Sequence, residues 1–297
     1  MISFKKITLL DYEWAQPMLQ AADSRLAEYS FTNCFLWGDI YHAKYAPVNG
    51  FFVSRSEGIS QTYGFPAGNG DLVSTINTLI RDAQERNEHF RIRAISKENV
   101  ALLEATFPHK FNFNAYRDSF DYLYNTEDLI TLSGKKYQPK RNHLSRFKKS
   151  YNWAYEDITP ENIKDCISMN AEWCRRYRCN EDDSLEKEAC AVKRALENFF
   201  ALKLQGGLLR VDGKVIAYTV GEPLNSDTYI VHIEKAFSEF NGAYQAINNM
   251  FISRQAANFR FVNREDDAGD EGLRKAKLSY HPTELIEKYI ATLRSDI

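Results

Sequence analysis

One order of secondary structure can be read twice along this chain of 297 residues, and that doubling restricts its fold more than any other feature. In the second half, residues 153–158 are strand-like. Thr159-Pro160-Glu161 then supplies an N-cap, a proline at the first helical position and an acid in the first turn. The helix that follows carries Ile163, Cys166, Ile167, Trp173, Cys174 and Tyr177 on one face. A second helix is predicted over about 185–203, with Ala189, Val192, Leu196 and Phe199 inward, and Gly206-Gly207 stops it. Strands 208–211 and 215–220 flank Asp212-Gly213, a hairpin turn signal, and a third antiparallel strand covers 228–235. A loop containing Gly242, a helix to about 258, a strand at 259–262, a short helix around 271–277 and a closing segment to 293 complete the half.

The first half gives nearly the same series. Helices are predicted at 11–23 and 31–41, the latter with Phe31, Cys34, Phe35, Trp37 and Ile40 as its apolar positions. Strands at 51–53 and 59–63 lead into a glycine-rich turn, 64–70. Asp71 is a good N-cap for a helix to Arg86 whose core face is Leu72, Ile76, Leu79, Ile80 and Ala83. A strand at 90–95, a helix at 97–107 and an aromatic strand at 120–124 follow. We therefore expect an α+β protein of two domains, 1–125 and 126–297, each a mixed, mostly antiparallel sheet flanked by helices. Composition agrees: 44% hydrophobic and 26% charged residues are ordinary for folded domains, and the length suits two cores.

A formal net charge of −2 excludes a global electrostatic pull toward nucleic acid or membrane, so any such contact must come from a local patch. The five cysteines form no CxxC pair and read as reduced thiols of a cytoplasmic protein. The first residues lack the apolar stretch of a signal peptide, and there is no run of about 18 apolar residues that would span a membrane; peripheral membrane contact stays open. Metal-ligand spacings, nucleophile elbows and Walker loops do not occur, and no metal or resident cofactor is expected.

The repeated order is similar to two tandem GCN5-related N-acetyltransferase-like (GNAT-like, acyl-CoA N-acyltransferase-like) domains, and its doubling resembles peptidyltransferases that use aminoacyl-tRNA. Two stretches carry a more specific resemblance: residues 133–149 (SGKKYQPKRNHLSRFKK) and 263–282 (NREDDAGDEGLRKAKLSYHP). With 231–235 (VHIEK) and 242–248 (GAYQAIN), they look like an uncharacterised bacterial family grouped with the C-terminal catalytic domain of phosphatidylglycerol lysyltransferase. The match to the lysyltransferase itself rests on fold and on Lys277, Tyr280, Pro282 and Tyr289. That enzyme also carries a membrane flippase region, which is not expected here. The resemblance implies transfer of an aminoacyl group from aminoacyl-tRNA, a co-substrate rather than a bound cofactor, to an acceptor. It also implies that Lys277 stabilises the oxyanion formed when the acceptor attacks the ester.

The residues themselves mark four candidate places. Between Lys135 and Lys149 there are seven Lys or Arg and no acid, with aromatics interleaved, which suits tRNA or another phosphate-rich ligand. Arg141 would fork onto a phosphate, Lys140 would act as a point charge, and Asn142 and His143 lie beside them; a solvated linker helix is the alternative. On the strand at 228–235, alternation puts His232 and Glu234 on one face and Lys235 on the other, so Glu234 would orient or deprotonate an acceptor with His232 as an alternative base. The Gly242 loop occupies the place where acetyltransferases bind the pyrophosphate of coenzyme A. Glu239 at the basic or amide position and Tyr244 at the final small position fit that ligand poorly, so acetyl-CoA is the lesser expectation. Asn263 ends a predicted strand and Arg264, Glu265, Asp266 and Asp267 follow at once, placed to line a cleft, with Arg274 on the face of Lys277. Salt bridges from Asp266 or Asp267 to Arg274 are the plain structural account.

Overall fold

A computed structural model describes residues 1–58 and 61–294, so Ile59 and Ser60 of the predicted strand 59–63 lie outside the described residues. The chain forms two units. The first comprises Met1–Tyr122, Asp266–Arg274 and the segment from Leu285 onward; the second comprises Leu123–Glu265 and Lys275–Glu284.

In the first unit, helices α1 (Tyr12–Ala21) and α2 (Phe31–Trp37) precede strands β1 (Ala43–Val48), β2 (Phe51–Ser56), β3 (Thr62–Gly64) and β4 (Ala67–Gly68). Helix α3 (Leu72–Glu85), β5 (Arg91–Ile95), α4 (Lys97–Thr106) and β6 (Phe111–Ala115) follow. Asp71 caps α3 as its position predicts, its carboxylate accepting from the Ser74 N–H at 3.0 Å. The expected stripe Ile76, Leu79, Ile80 and Ala83 is buried with Val53, Tyr63, Ile92 and Phe111.

The chain then enters β7 (Asp121–Asn125), α5 (Thr126–Thr131), α6 (Gln138–Ser150), β8 (Trp153–Asp157), α7 (Ile163–Arg176) and α8 (Asp183–Glu197). Strands β9 (Gln205–Val211), β10 (Lys214–Pro223) and β11 (Thr228–Ala236), helix α9 (Ala243–Phe251), β12 (Phe261–Asn263), α10 (Glu271–Leu278), β13 (Glu284–Ile286) and β14 (Tyr289–Leu293) complete it. The second sheet runs β13-β7-β12-β11-β10-β9-β8. Asp212 and Gly213 both have positive φ, 49° and 82°, the geometry of the hairpin turn that their sequence announces.

Two contiguous domains, 1–125 and 126–297, would leave the last strand in the second half. Instead β14 pairs antiparallel with β5 and β6, inside the first sheet. Ala291, fully buried in that core, and half-buried Leu293 secure it there. The start of α7 also differs from expectation. Thr159 is not its N-cap; the helix begins three residues later, because the Asn162 side chain accepts from the Thr159 N–H at 2.7 Å and closes a separate turn first.

One feature of the second sheet positions everything below. Parallel strands β11 and β12 pair only from Thr228↔Phe261 to Ile230↔Asn263, after which β12 ends while β11 runs on to Ala236. The edge of β11 beyond Ile230 therefore faces side chains of the segment after β12. A β-bulge at Val220/Gly221 sits opposite: Val220 pairs with Ile233 and Gly221 with Val231, leaving His232 as the extra residue. Gly221 is required there, since a Cβ would lie 2.3 Å from the Ile230 carbonyl oxygen.

Candidate active site

The side chains at the parting of β11 and β12 form a partly buried polar cluster. Glu234 accepts from Arg264 Nη2 at 3.0 Å on one carboxylate oxygen and from Asn248 Nδ2, on α9, at 2.8 Å on the other. The Arg264 guanidinium carbon lies 5.0 Å from the centre of the Tyr280 ring and 5.7 Å from that of Tyr124. Its Nη1 is buried and has no hydrogen-bond partner among the described residues. The ammonium of Lys140, on α6, sits 3.9 Å from the centre of the same Tyr280 ring and donates to Ser279 Oγ at 2.6 Å. Burial and repulsion from Arg264 pull the Lys140 pKa down to about 8, against the attraction of Glu234. Helix α6 reaches this cluster because its inward face is anchored by Phe147, fully buried, a contribution of roughly 1.5–3 kcal/mol. Tyr137, ahead of the helix, donates to the Tyr280 carbonyl at 3.0 Å.

His232 is beside this cluster but is not a base. Its Nδ1 meets Glu265 at 2.8 Å and its Nε2 meets Glu222 at 3.1 Å, with the side chain only 2% exposed. Burial disfavours the imidazolium, yet the two carboxylates outweigh burial and raise its pKa to about 9. With both ring nitrogens engaged by carboxylates, neither is left to take a proton from a substrate. Glu222 is its diagonal neighbour across β10 and β11.

Lys277, to which the resemblance gives the oxyanion, bonds to the backbone of the turn after β12. Its ammonium donates to the carbonyl oxygens of Arg264 at 2.7 Å and Glu265 at 3.3 Å, holding the backbone from which Arg264 projects. Tyr124 in turn donates to the Lys277 carbonyl at 2.8 Å. Buried Asn263 shapes the same turn by accepting from the Glu265 N–H at 2.6 Å, with Glu265 at φ 57°.

The remaining candidates fall elsewhere. Arg141 donates to the carbonyls of Leu132 and, at 2.7 Å, Gly134, so it closes the end of α5 instead of forking onto a phosphate. Asn142 and His143 line a shallow groove of about 390 Å³ with Lys135, Gln138, Pro139 and Arg146 on the outer face of α6. Lys235 turns away from Glu234, its ammonium 3.7 Å from the centre of the Trp173 ring and 2.8 Å from Glu188. Asp266 accepts from the Ala268 N–H. Asp267, in the first unit, binds Arg274 at 2.7 Å and Arg117 at 3.2 Å, and Tyr122 donates to it at 2.5 Å. Arg274 also bonds Asp118, so the plain salt-bridge account holds for it. Burial opposes the charge of Asp267, but these donors hold its carboxyl well below the usual range.

The Gly242 loop has the positive φ, 88°, of a tight helix entry, and α6 is packed onto it. A Cβ at Gly242 would lie 2.4 Å from the His143 carbonyl oxygen, and the Tyr151 hydroxyl accepts from the Asn241 N–H at 3.1 Å. The start of α9 thus meets a carbonyl of α6. Tyr244 is largely buried, which raises its phenol pKa to about 12.

Sequence reasoning missed Glu222, Ser279 and Tyr124. Each is recruited by strand register or by a turn, and neither shows in local pattern. Among the described residues, no group of three or more His, Cys, Asp or Glu is placed to hold a metal ion, and no helix is long and apolar enough to cross a membrane.

Comparison with known proteins agrees with this architecture. A conserved protein of unknown function from Bacteroides thetaiotaomicron is 41% identical, with a TM-score of 0.94 covering 99% of this chain and 100% of that one. L-PGS from Bacillus licheniformis shares the fold at 14% identity, with a TM-score of 0.69 over 100% of this chain and 95% of that one. An uncharacterised protein of Mycoplasmoides gallisepticum is 28% identical over 180 residues, which are 59% of this chain and 56% of that protein's length. Residues 20–292 match the family model described as phosphatidylglycerol lysyltransferase, C-terminal: the chain belongs to that family.

Proposed function

We propose that this protein is an aminoacyltransferase that moves an aminoacyl group from the ester of an aminoacyl-tRNA to an acceptor amine or hydroxyl held at Glu234. Family membership supports acyl transfer, and the single observation that carries the finer reading is Glu234 itself. It is a carboxylate only 12% exposed, aligned on both oxygens by Arg264 and Asn248 and set where two parallel strands part.

An aminoacyl ester is already activated, so the protein has to orient two reactants and manage charge and protons. Glu234 accepts a hydrogen bond from the attacking N–H or O–H and takes its proton as the bond to the ester carbon forms. Positive charge from Lys140 faces the oxyanion that develops, and such stabilisation is usually the largest catalytic contribution. As the carbon–oxygen bond of the ester breaks, the Lys140 ammonium returns a proton to the leaving ribose oxygen. Lys277 and Asn263 act as positioning residues by fixing the turn that carries Arg264.

Acetyl-CoA is the weaker reading. The helix entry that would receive its pyrophosphate is met by the His143 carbonyl, whose partial charge repels an anion. The test is acceptor-dependent deacylation of charged tRNA pools. Wild type should be active, and Glu234→Gln should lower kcat by about 10²–10⁴. A non-catalytic RNA binder would show no deacylation in either.

A further inference from the structure

The charges at the parting of β11 and β12 do not balance. Two cations, Lys140 and Arg264, are held over the ring of Tyr280 at 3.9 and 5.0 Å, and among the described residues Glu234 alone is ion-paired to either. Glu234 is committed to Arg264 Nη2 and to Asn248. Lys140 is tethered by a neutral hydroxyl, Ser279. The nearby imidazolium of His232 is neutralised by its own carboxylates, Glu222 and Glu265. Arg264 Nη1, a charged donor buried away from water, has no acceptor among the described residues. A buried donor of this kind is costly unless something fills it.

We infer that Arg264 Nη1 and Lys140 form a binding site for an oxyanion, a phosphate or a carboxylate, carried by the substrate. A guanidinium with one free Nη and an ammonium over the same Tyr280 ring are both donors suited to the oxygens of such a group. The reading deepens the function proposed above, on which its naming of the substrate rests: the substrate carries a fixed negative group close to its reacting centre. It also accounts for the state of Lys140. In the free site, burial and Arg264 depress its proton affinity against Glu234, while Tyr280, facing it from the segment after α10, is a neutral phenol whose pKa burial raises. A bound anion cancels the repulsion and keeps Lys140 protonated, the form that can return a proton to a leaving oxygen.

The test needs no aminoacyl donor. Protein labelled at lysine Cε is titrated by NMR between pH 6 and 11, alone, with inorganic phosphate and with acetate, and Lys140→Met assigns the resonance. The expected result is that one of the two anions raises the Lys140 midpoint by a unit or more, saturably. Phosphate acting alone identifies a phosphoryl group, and acetate acting identifies a carboxylate. The shift should be lost in Arg264→Lys, which keeps the charge but not the second nitrogen. It should persist in Lys148→Ala/Lys149→Ala on the outer part of α6. No shift with either anion, or a shift that survives Arg264→Lys, overturns the site. If the anion binds as expected but no charged tRNA is deacylated, the aminoacyl reading fails while the oxyanion site stands.

Discussion

His232 offers the sharpest quantitative check on the electrostatics of the cluster. Its pKa rises from an ordinary 6.5 to about 9 on folding, because Glu222 and Glu265 outweigh the cost of burial. A group whose folded pKa is raised stabilises the fold fully below its unfolded pKa and loses that contribution as pH climbs through the folded value. The window here is from about 6.5 to about 9. The gap of about 2.5 units corresponds to roughly 3 kcal/mol at about 1.4 kcal/mol per unit. His232→Gln should lose about that much at pH 6, and up to about 5 kcal/mol, since two carboxylates are left facing a neutral amide. The assay is urea unfolding of wild type and His232→Gln at pH 6 and pH 10, taking the difference at each pH so that groups common to both cancel. The difference should be about 3 kcal/mol larger at pH 6. A difference independent of pH, or an imidazole that titrates below 7 by NMR, would refute the argument.

Other expectations follow from single contacts. Lys277→Met leaves the Arg264 and Glu265 carbonyls without their donor and should cost about 1–3 kcal/mol by chemical denaturation, with transfer lowered through a displaced Arg264. A milder loss with full activity would show that the lysine does not position that turn. Gly242→Ala forces a side chain at φ 88° against the His143 carbonyl and should lower stability by at least about 1 kcal/mol; an unchanged melting curve would contradict the packing of α6 on that loop. Asp267→Asn, which strips the carboxylate from two arginines, should cost about 3 kcal/mol or more at neutral pH. Because the folded pKa of Asp267 is depressed, that deficit should shrink as pH falls below about 4, and a deficit that grows in acid would oppose it.

Much of the scaffold was legible because hydrophobic period and turn chemistry are local. The stripe of α3, the cap at Asp71 and the hairpin at Asp212-Gly213 lie where those signals put them. Glu234 and Arg264 were both singled out, and the fold brings them to 3.0 Å. What escaped was non-local. No pattern in the sequence says that β14 returns to the first sheet, that a bulge leaves His232 unpaired on β11, or that Glu222 meets it across the strands. The basic run misled in part because charge alone does not reveal which face of a helix is buried. Lys140 turns to Tyr280, Arg141 closes the end of α5, and the outer groove keeps Lys135 and Arg146.

The most direct measurement of the central claim is a crystal structure with an adenosine whose ribose carries the amino acid through a stable 3′-amide in place of the ester. The account predicts the amide carbonyl within hydrogen-bonding reach of Lys140, with space for an attacking group beside Glu234. Density confined to the outer groove of α6, or its absence near Glu234 at saturating ligand, would contradict it.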